Sequence, residues 1–453
     1  MASQPPTNVG STDSAMIHVE FTDLAILQQQ QQQQDQRKTG AHEDADDAAP
    51  SVEARDPIYF GYYALLTHQQ NMLIDSVRTS TYQSAIMQNH HVFQDALVMD
   101  VGAGSGVLSY FSAYAGARHV YAVEASNMAR RIRQLLARTD THNTFLKDRV
   151  TVVQSKVEDI KEELPKVDVI ISEPIGVLLF HERMLESFVY ARDKYLKPGG
   201  TIFPSSGSIF LSPFTDAILY TETMTKVRFW ESTNFYGIDF SPLFDEAKDE
   251  YFAMPVVGHF DPKSLMAAPA APYAMDFTTI TREELLDLVI PFEWTVSYTG
   301  LIHGIGGWFD LVFTPPPIGD ELGSTVSMST APNAANTHWQ QVRFLLTEPL
   351  AVNAGDVVRG WLRCRVNAMR SYMIAGELVV NETPISDPAD AGVTEALALH
   401  VEERPKWLAE RVGSRRRGRW MLHEQTYAYS YQPNAATDAA FKPEFACMYP
   451  PSN

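Results

Sequence analysis

Residues 97–124 carry the first group whose types and spacing could do chemistry. An apolar, β-branched run ends in Asp100 and is followed by Gly102, Gly104 and Gly106. Val120, Tyr121, Ala122 and Val123 form a second apolar run that ends in Glu124. A strand, a glycine loop, a helix and a strand ending in an acid make the βαβ plan of a nucleotide-type cofactor site. The glycines let the backbone approach a ligand closely, and the acid accepts hydrogen bonds from ribose hydroxyls. The third glycine follows the second too soon for the nicotinamide fingerprint, which lays the helix under a pyrophosphate. A glycine-rich turn in an ordinary α/β protein would look the same without Asp100 and Glu124 in these places.

The second group is a pair of carboxylates, Glu173 and Glu182, in Ser172-Glu173-Pro174-Ile175-Gly176-Val177-Leu178-Leu179-Phe180-His181-Glu182. Ligands of open α/β sheets lie beyond the strand C-termini, so Glu173 is expected to face the cofactor. Two carboxylates on one bent loop repel each other unless a cation lies between them. A planar guanidinium, with its fixed fork of donors, suits that place. The other reading of Glu182 is a first-turn acid of the following helix.

The elements that must position these groups alternate. Residues 97–101, 120–124, 150–154 and 167–172 read as buried parallel strands. Residues 107–117, 128–138 and 182–195 read as helices, the last ended by Lys197-Pro198-Gly199-Gly200. A helical pattern with aromatics at its start covers residues 57–87. Beyond Thr201 the texture becomes antiparallel β, with runs at 201–212, 288–299, 307–314, 341–347, 357–367 and 372–380. Within it, residues 214–252 are helix-forming and aromatic, with Phe229, Trp230, Phe235 and Tyr236 seeking a surface to bury against. The organisation expected is a leader over 1–55 with a glutamine tract and acidic residues, disordered by composition. A cofactor domain over 56–203 and a β domain over 204–385 follow, then a partly disordered extension over 386–453.

The bulk properties bound the class. The chain has 453 residues, 45% hydrophobic and 20% charged, which fits a globular protein of two or three domains. No run reaches the roughly 18 apolar residues of a transmembrane helix, and the secretory-signal pattern is missing, so no membrane association is expected. Its 2 cysteines, Cys364 and Cys447, are too far apart for a disulfide framework or zinc site. A net charge of −19 argues against direct nucleic-acid binding and is compatible with basic protein partners, or merely with solubility. Arg415-Arg416-Arg417-Gly418-Arg419 reads as an import patch, a modification site of Arg-Gly-Arg character or a solvated run.

With the motifs Asp100-Val101-Gly102-Ala103-Gly104-Ser105-Gly106, Ser172 to Glu182, Lys156-Val157-Glu158 and Thr337-His338-Trp339, the chain resembles the protein arginine N-methyltransferases. The resemblance covers about residues 56–380. Pro174, Ser329-Thr330-Ala331-Pro332 and Asp249-Glu250-Tyr251-Phe252 are similar to the coactivator-associated, type I branch. It implies a Rossmann-type methyltransferase domain followed by an antiparallel β-barrel domain. A helical dimerisation arm over 214–252 would make a homodimer. The implied cofactor is S-adenosyl-L-methionine, with Tyr59, Tyr63, Gln69, Met72, Arg78, Asp100, Gly102, Gly104, Gly106, Glu124, Glu158 and Met184 around it. Arg78 would meet the methionine carboxylate, Glu158 the adenine amino group, and Met72 and Met184 would crowd the guanidinium. Glu173, Glu182 and His338 would be catalytic, with no metal. The implied activity is asymmetric dimethylation of histones and RNA-binding or transcription-related proteins, in nucleus and cytoplasm. Monomethylation, symmetric dimethylation, or a weakly catalytic scaffold for basic proteins are the alternatives. Ile175, Val177 and His181 depart from the related pattern, which bears on peptide preference.

Overall fold

The computed structural model describes residues 52–317, 323–382, 391–398, 406–409 and 414–427. The glutamine tract, most of the acidic leader and Cys447 lie outside the described residues. The end of the leader does not follow its composition, because Glu53–Arg55 forms a 3₁₀ turn.

Four helices come first: α1 (Asp56–Tyr63), α2 (Leu66–Ile74), α3 (Ser76–Met87) and α4 (His90–Phe93). The single helical pattern is broken twice, at Leu65 and Asp75, which adopt extended conformations. Asp75 then caps α3, its side chain accepting the Arg78 N–H.

The first sheet holds β1 (Leu97–Val101), β2 (His119–Val123), β3 (Val150–Val153), β4 (Val167–Ser172) and β5 (Leu196–Phe203) in the order β3-β2-β1-β4-β5. All its ladders are parallel. Helices α5 (Val107–Tyr114), α6 (Met128–Leu136) and α7 (Met184–Tyr195) connect them. The order reverses between β1 and β4, so the crevice beyond their C-terminal ends is the switch point where such sheets take ligands. The glycine loop leaves β1 there, and Glu173 directly follows β4.

Two expectations change here. Lys197 to Gly200 lies inside β5 instead of ending the helix. An edge strand, paired only with β4, tolerates Pro198 and the glycines. The run 201–212 is divided between β5 and the next domain.

That domain contains β6 (Ser206–Phe214), two arm helices, α8 (Ala217–Arg228) and α9 (Phe244–Phe252), and then β7 (Val256–Gly258) to β16 (Thr426–Tyr427). One sheet runs β16-β7-β12-β10-β6-β8, with β11 beside β10, and a second runs β15-β14-β13-β9. In them β8 is Tyr273–Asp276, β9 Asp287–Thr295, β10 Gly300–Phe313, β11 Val326–Ser329, β12 Gln341–Val352, β13 Val357–Asn367, β14 Ser371–Val380 and β15 Arg415–Met421. Strand β9 alternates buried and exposed residues along its whole length, the period of a sheet with one inner face. Two buried indoles seam the sheets: Trp294 donates to the Leu211 carbonyl at 3.0 Å and Trp420 to the Leu345 carbonyl at 2.8 Å. One hydrophobic cluster joins Phe93 and Phe203 of the first domain to Phe313 and Leu311 of the second.

The arginine run is a correction. It forms β15, paired with β14, not a solvated patch. Arg417 donates to Glu377 at 2.7 Å and to the Trp407 carbonyl at 2.6 Å, while Arg416 donates to the Glu348 carbonyl. A fully buried Glu377 explains why a strand this basic can lie in a sheet.

Candidate active site

The glycine loop turns by local necessity. Gly102, Gly104 and Gly106 all have positive φ, of 73°, 53° and 86°. A Cβ would also displace its neighbours: on Gly102 it would lie 2.1 Å from Met184 Cε, and on Gly106 2.6 Å from the Tyr110 ring. Glu124, at the end of β2, accepts the Gly104 N–H at 2.7 Å and the Ser126 N–H at 2.6 Å. Its carboxylate therefore braces the loop while facing the crevice. Asp100 is fully buried and accepts from Ser109 Oγ at 2.7 Å, and burial pushes its carboxyl up to about 7.

Gln69 reaches across to this loop, its Nε2 donating to the Tyr63 carbonyl and its Oε1 close over Gly104. Glu158 accepts from Ser187 Oγ at 2.6 Å. The Met72 carbonyl accepts from Arg78 Nη1 at 3.2 Å. Arg78 is itself buried and forms an ion pair with Glu173.

The carboxylate loop is strained. Leu178, Leu179, Glu182 and Arg183 have φ of 55°, 77°, 75° and 59°, a region that costs a residue with a Cβ about 1–3 kcal/mol. Gly176 permits the bend, since a Cβ there would meet the His181 carbonyl oxygen at 2.3 Å. The helix expected from residue 182 starts at Met184 instead, because Glu182 and Arg183 leave helical geometry. Glu182 is thereby turned under α1, where the Tyr63 hydroxyl donates to its two oxygens at 2.9 and 2.7 Å. Burial raises its pKa, against the lowering effect of the Tyr63 and Tyr59 hydroxyls and Arg370. Tyr59 packs on Tyr63 with ring centroids 4.9 Å apart.

The structure does not join Glu173 and Glu182 through one partner: Glu173 meets Arg78, and Glu182 meets the tyrosines. His338 comes from the second domain. Its backbone N–H and Nδ1 both engage Asp75 Oδ2, at 2.8 and 2.7 Å, and its ring lies 4.0 Å from that of Trp339. Burial lowers its pKa, with Asp75 acting in the opposite sense. The Trp339 indole donates to the Ile175 carbonyl at 3.1 Å, tying this loop to the carboxylate loop.

Asp75 escaped sequence reasoning, although an acid directly before Ser76-Val77-Arg78 is a helix-cap signal. Asp56 and Arg370, which meet beside Tyr59, gave no signal at all, being 314 positions apart.

A nucleoside-type cofactor fits these residues. Arg78 Nε, Asp100 Oδ1 and the Tyr110 hydroxyl, on residues at or near the glycine loop, are buried without a hydrogen-bond partner. Buried polar atoms left alone are costly, so a polar ligand there would satisfy them. Among the described residues no cluster of histidine, cysteine and carboxylate side chains could hold a metal.

Comparison with known proteins agrees with this geometry. Residues 205–375 match the arginine methyltransferase oligomerization subdomain, and residues 98–200 match a methyltransferase domain. Arabidopsis thaliana protein arginine methyltransferase 10 superposes with a TM-score of 0.64 at 32% identity, over 73% of this chain and 97% of that one. The chain belongs to the protein arginine methyltransferase family. A chain of the Trypanosoma brucei PRMT1 enzyme–prozyme heterotetrameric complex with AdoHcy gives 0.60 at 30% identity, over 71% and 95% of the two chains. The probable histone-arginine methyltransferase 1.4 of Arabidopsis thaliana is 47% identical over 332 residues, 73% of this chain and 60% of that relative. The chain thus spans about three fifths of the length of the curated relatives it matches.

Proposed function

We propose that this arginine methyltransferase transfers methyl groups from S-adenosylmethionine to guanidinium nitrogens of protein arginines, histones among them, and forms asymmetric dimethylarginine. The observation that carries the reading is Glu182, a partly buried carboxylate turned beneath Tyr59 and Tyr63 on the same loop as Glu173, together with a glycine loop braced by Glu124. When bound, the cofactor supplies a sulfonium methyl.

The protein's own part is recognition, orientation and proton handling. A substrate arginine keeps its charge at any ordinary pH, so its nitrogens are poor nucleophiles. Glu182, with its charge disfavoured by burial, gains a counter-ion of its own when a guanidinium arrives, Arg370 being paired with Asp56. Glu173, fixed by Arg78, offers the second carboxylate. Holding the nitrogen on line with the methyl contributes most of the acceleration. Methylation of a guanidinium nitrogen would release one N–H proton, which the protein would have to accept. A carboxyl of raised pKa suits that acceptance, and Glu182 is such a group. His338 gives Nδ1–H to Asp75, which leaves an Nε2 lone pair to hold the substrate guanidinium.

Met184 against Gly102 supports the crowded pocket of an asymmetric-product enzyme. The arm supports self-association, for it leaves Ile218, Phe229, Phe235, Tyr236, Ile238 and Leu243 exposed in one segment. The test is incubation with cofactor and histone, glycine/arginine-rich or proline-rich peptides, read by mass spectrometry that separates the dimethyl isomers. Transfer to arginine with the asymmetric isomer is expected. S-adenosylhomocysteine binding without transfer to any peptide would overturn the reading.

A further inference from the structure

Helix α1 carries the two tyrosines that cover Glu182, yet none of its own residues is fully buried. Apolar packing does not hold it in place. What meets it instead is charge at its first residue. The Asp56 Oδ1 accepts from Arg370 Nε at 3.0 Å and also from Arg370 Nη2. The other oxygen, Oδ2, takes Lys156 Nζ at 3.2 Å. One carboxylate is thus pinned by the second domain on one side and, on the other, by the loop that bears Glu158. The Asp56 and Arg370 side chains are 15% and 13% exposed, so the pair is screened less than a surface ion pair.

The local backbone favours the same reading. Asn367 pairs with Ser371 across the β13–β14 turn, leaving a three-residue connection. The third residue of such a turn takes the left-handed conformation and is ordinarily glycine. Here it is Arg370, with φ of 53°. The strain is accompanied by a guanidinium stacked 4.4 Å from the centroid of the Tyr59 ring and paired with Asp56. Arg55 reaches Met369 Sδ of the same turn. The turn also grips the carboxylate loop, since the Asn367 carbonyl accepts from Arg183 at 2.9 Å and Ser371 Oγ lies 2.9 Å from His181 Nδ1.

We propose that Asp56, clamped between Arg370 and Lys156, is a positioning residue that locks α1 across the site and so sets how long the cofactor is retained. The proposal rests on the methyltransferase reading above. Opening the clamp frees Tyr59 and Tyr63 from Glu182 and uncovers the glycine loop, without removing any group assigned to the chemistry.

The test uses full-length Asp56→Asn, Asp56→Glu, Arg370→Met and the Asp56→Asn/Arg370→Met double variant. S-adenosylhomocysteine affinity and dissociation rate are measured, with melting temperature and hydrogen exchange of the ligand-free proteins. Asp56→Asn and Arg370→Met should each weaken affinity about five- to twentyfold through faster dissociation, and the double variant no further, as residues of one network behave. Exchange should rise over residues 56–63 and stay unchanged over β1 and β2. Asp56→Glu should lie near wild type. Unchanged affinity and exchange in Asp56→Asn, or additive losses in the double variant, would overturn the lock. If Asp56→Asn does not fold, Arg370→Met decides from outside the helix. Failure of the wild type to bind S-adenosylhomocysteine would strike the methyltransferase reading, and the exchange data would still judge the lock.

Discussion

The two halves of the site are built by opposite means. The cofactor half is local. Its carboxylate, Glu124, braces a loop 20 positions away, and the turns it needs fall on glycines. The guanidinium half is assembled from afar. Glu182 meets Tyr63 over 119 positions, His181 meets Ser371 over 190 and His338 meets Asp75 over 263. Its positive φ values fall on Leu178, Leu179, Glu182 and Arg183, none of which adopts them cheaply. Strand ends suffice to brace the glycine loop, whereas the surroundings of Glu182 and His338 draw on two domains. Strain can persist there because the surroundings over-determine it.

Substitutions can break the halves apart. Glu182→Gln carries the largest expected effect. Methyl transfer should fall about 10²–10³-fold, the loss typical of removing one preorganised electrostatic group. S-adenosylhomocysteine affinity, read by calorimetry on the same preparation, should stay within about twofold, since its neighbours at Glu182 are tyrosines and not the glycine loop. A parallel loss of both would mean that the halves are one unit.

Glu124→Ala is the converse. It deletes two charge-assisted bonds, from the Gly104 and Ser126 N–H groups, each worth about 1.5–3 kcal/mol. Cofactor affinity should fall about ten- to a hundredfold, while kcat at saturating cofactor stays close to wild type. A kcat that fell with affinity would show that the loop also steers the reaction.

Asp75→Asn probes the seam between the halves, because Asp75 caps the helix of Arg78 and also holds His338. Asparagine is an equally good cap, so melting temperature should not move. The negative charge facing His338 disappears, and kcat should fall roughly tenfold, as for loss of one hydrogen bond to a charged group. An unaltered kcat would reduce His338 to a structural residue.

The same contrast decides what could be read in the sequence. Leu97–Val101 and Val167–Ser172 are mostly apolar runs, and Val357–Asn367 an alternating one, whose ends the pattern marks correctly. Glu124 and the glycines carry their meaning within a few residues of themselves. The Asp56–Arg370 clamp does not, because each partner alone is an ordinary surface charge. Strand β15 was hidden for a related reason: its arginines look solvated until Glu377, from β14, is set beside them. The helix start at Met184 was misplaced because Glu182 and Arg183 occupy a conformation that local propensity disfavours. Functional strain is what a propensity-based reading is least able to see.

The smallest effect separates the cofactor half from its own scaffold. Asp100 is fully buried, and desolvation raises its pKa from 3.8 to about 7, with the Ser109 hydroxyl and Arg78 pulling the other way. Its folded-state pKa therefore lies above the unfolded one. In the window between them the folded protein binds the extra proton, so stability falls as pH rises from about 4 to about 7. This is opposite to a salt-bridged carboxylate, whose stabilisation is lost on acidification. Other groups titrate in the same range, so the wild-type slope alone is not decisive. Asp100→Asn keeps the acceptor for Ser109 and removes the titration. The difference in melting temperature, variant minus wild type, should grow across that window and level off above it. A difference that is flat with pH would mean that Asp100 titrates as an ordinary carboxylate, and that the buried end of β1 is more open to water than its packing implies.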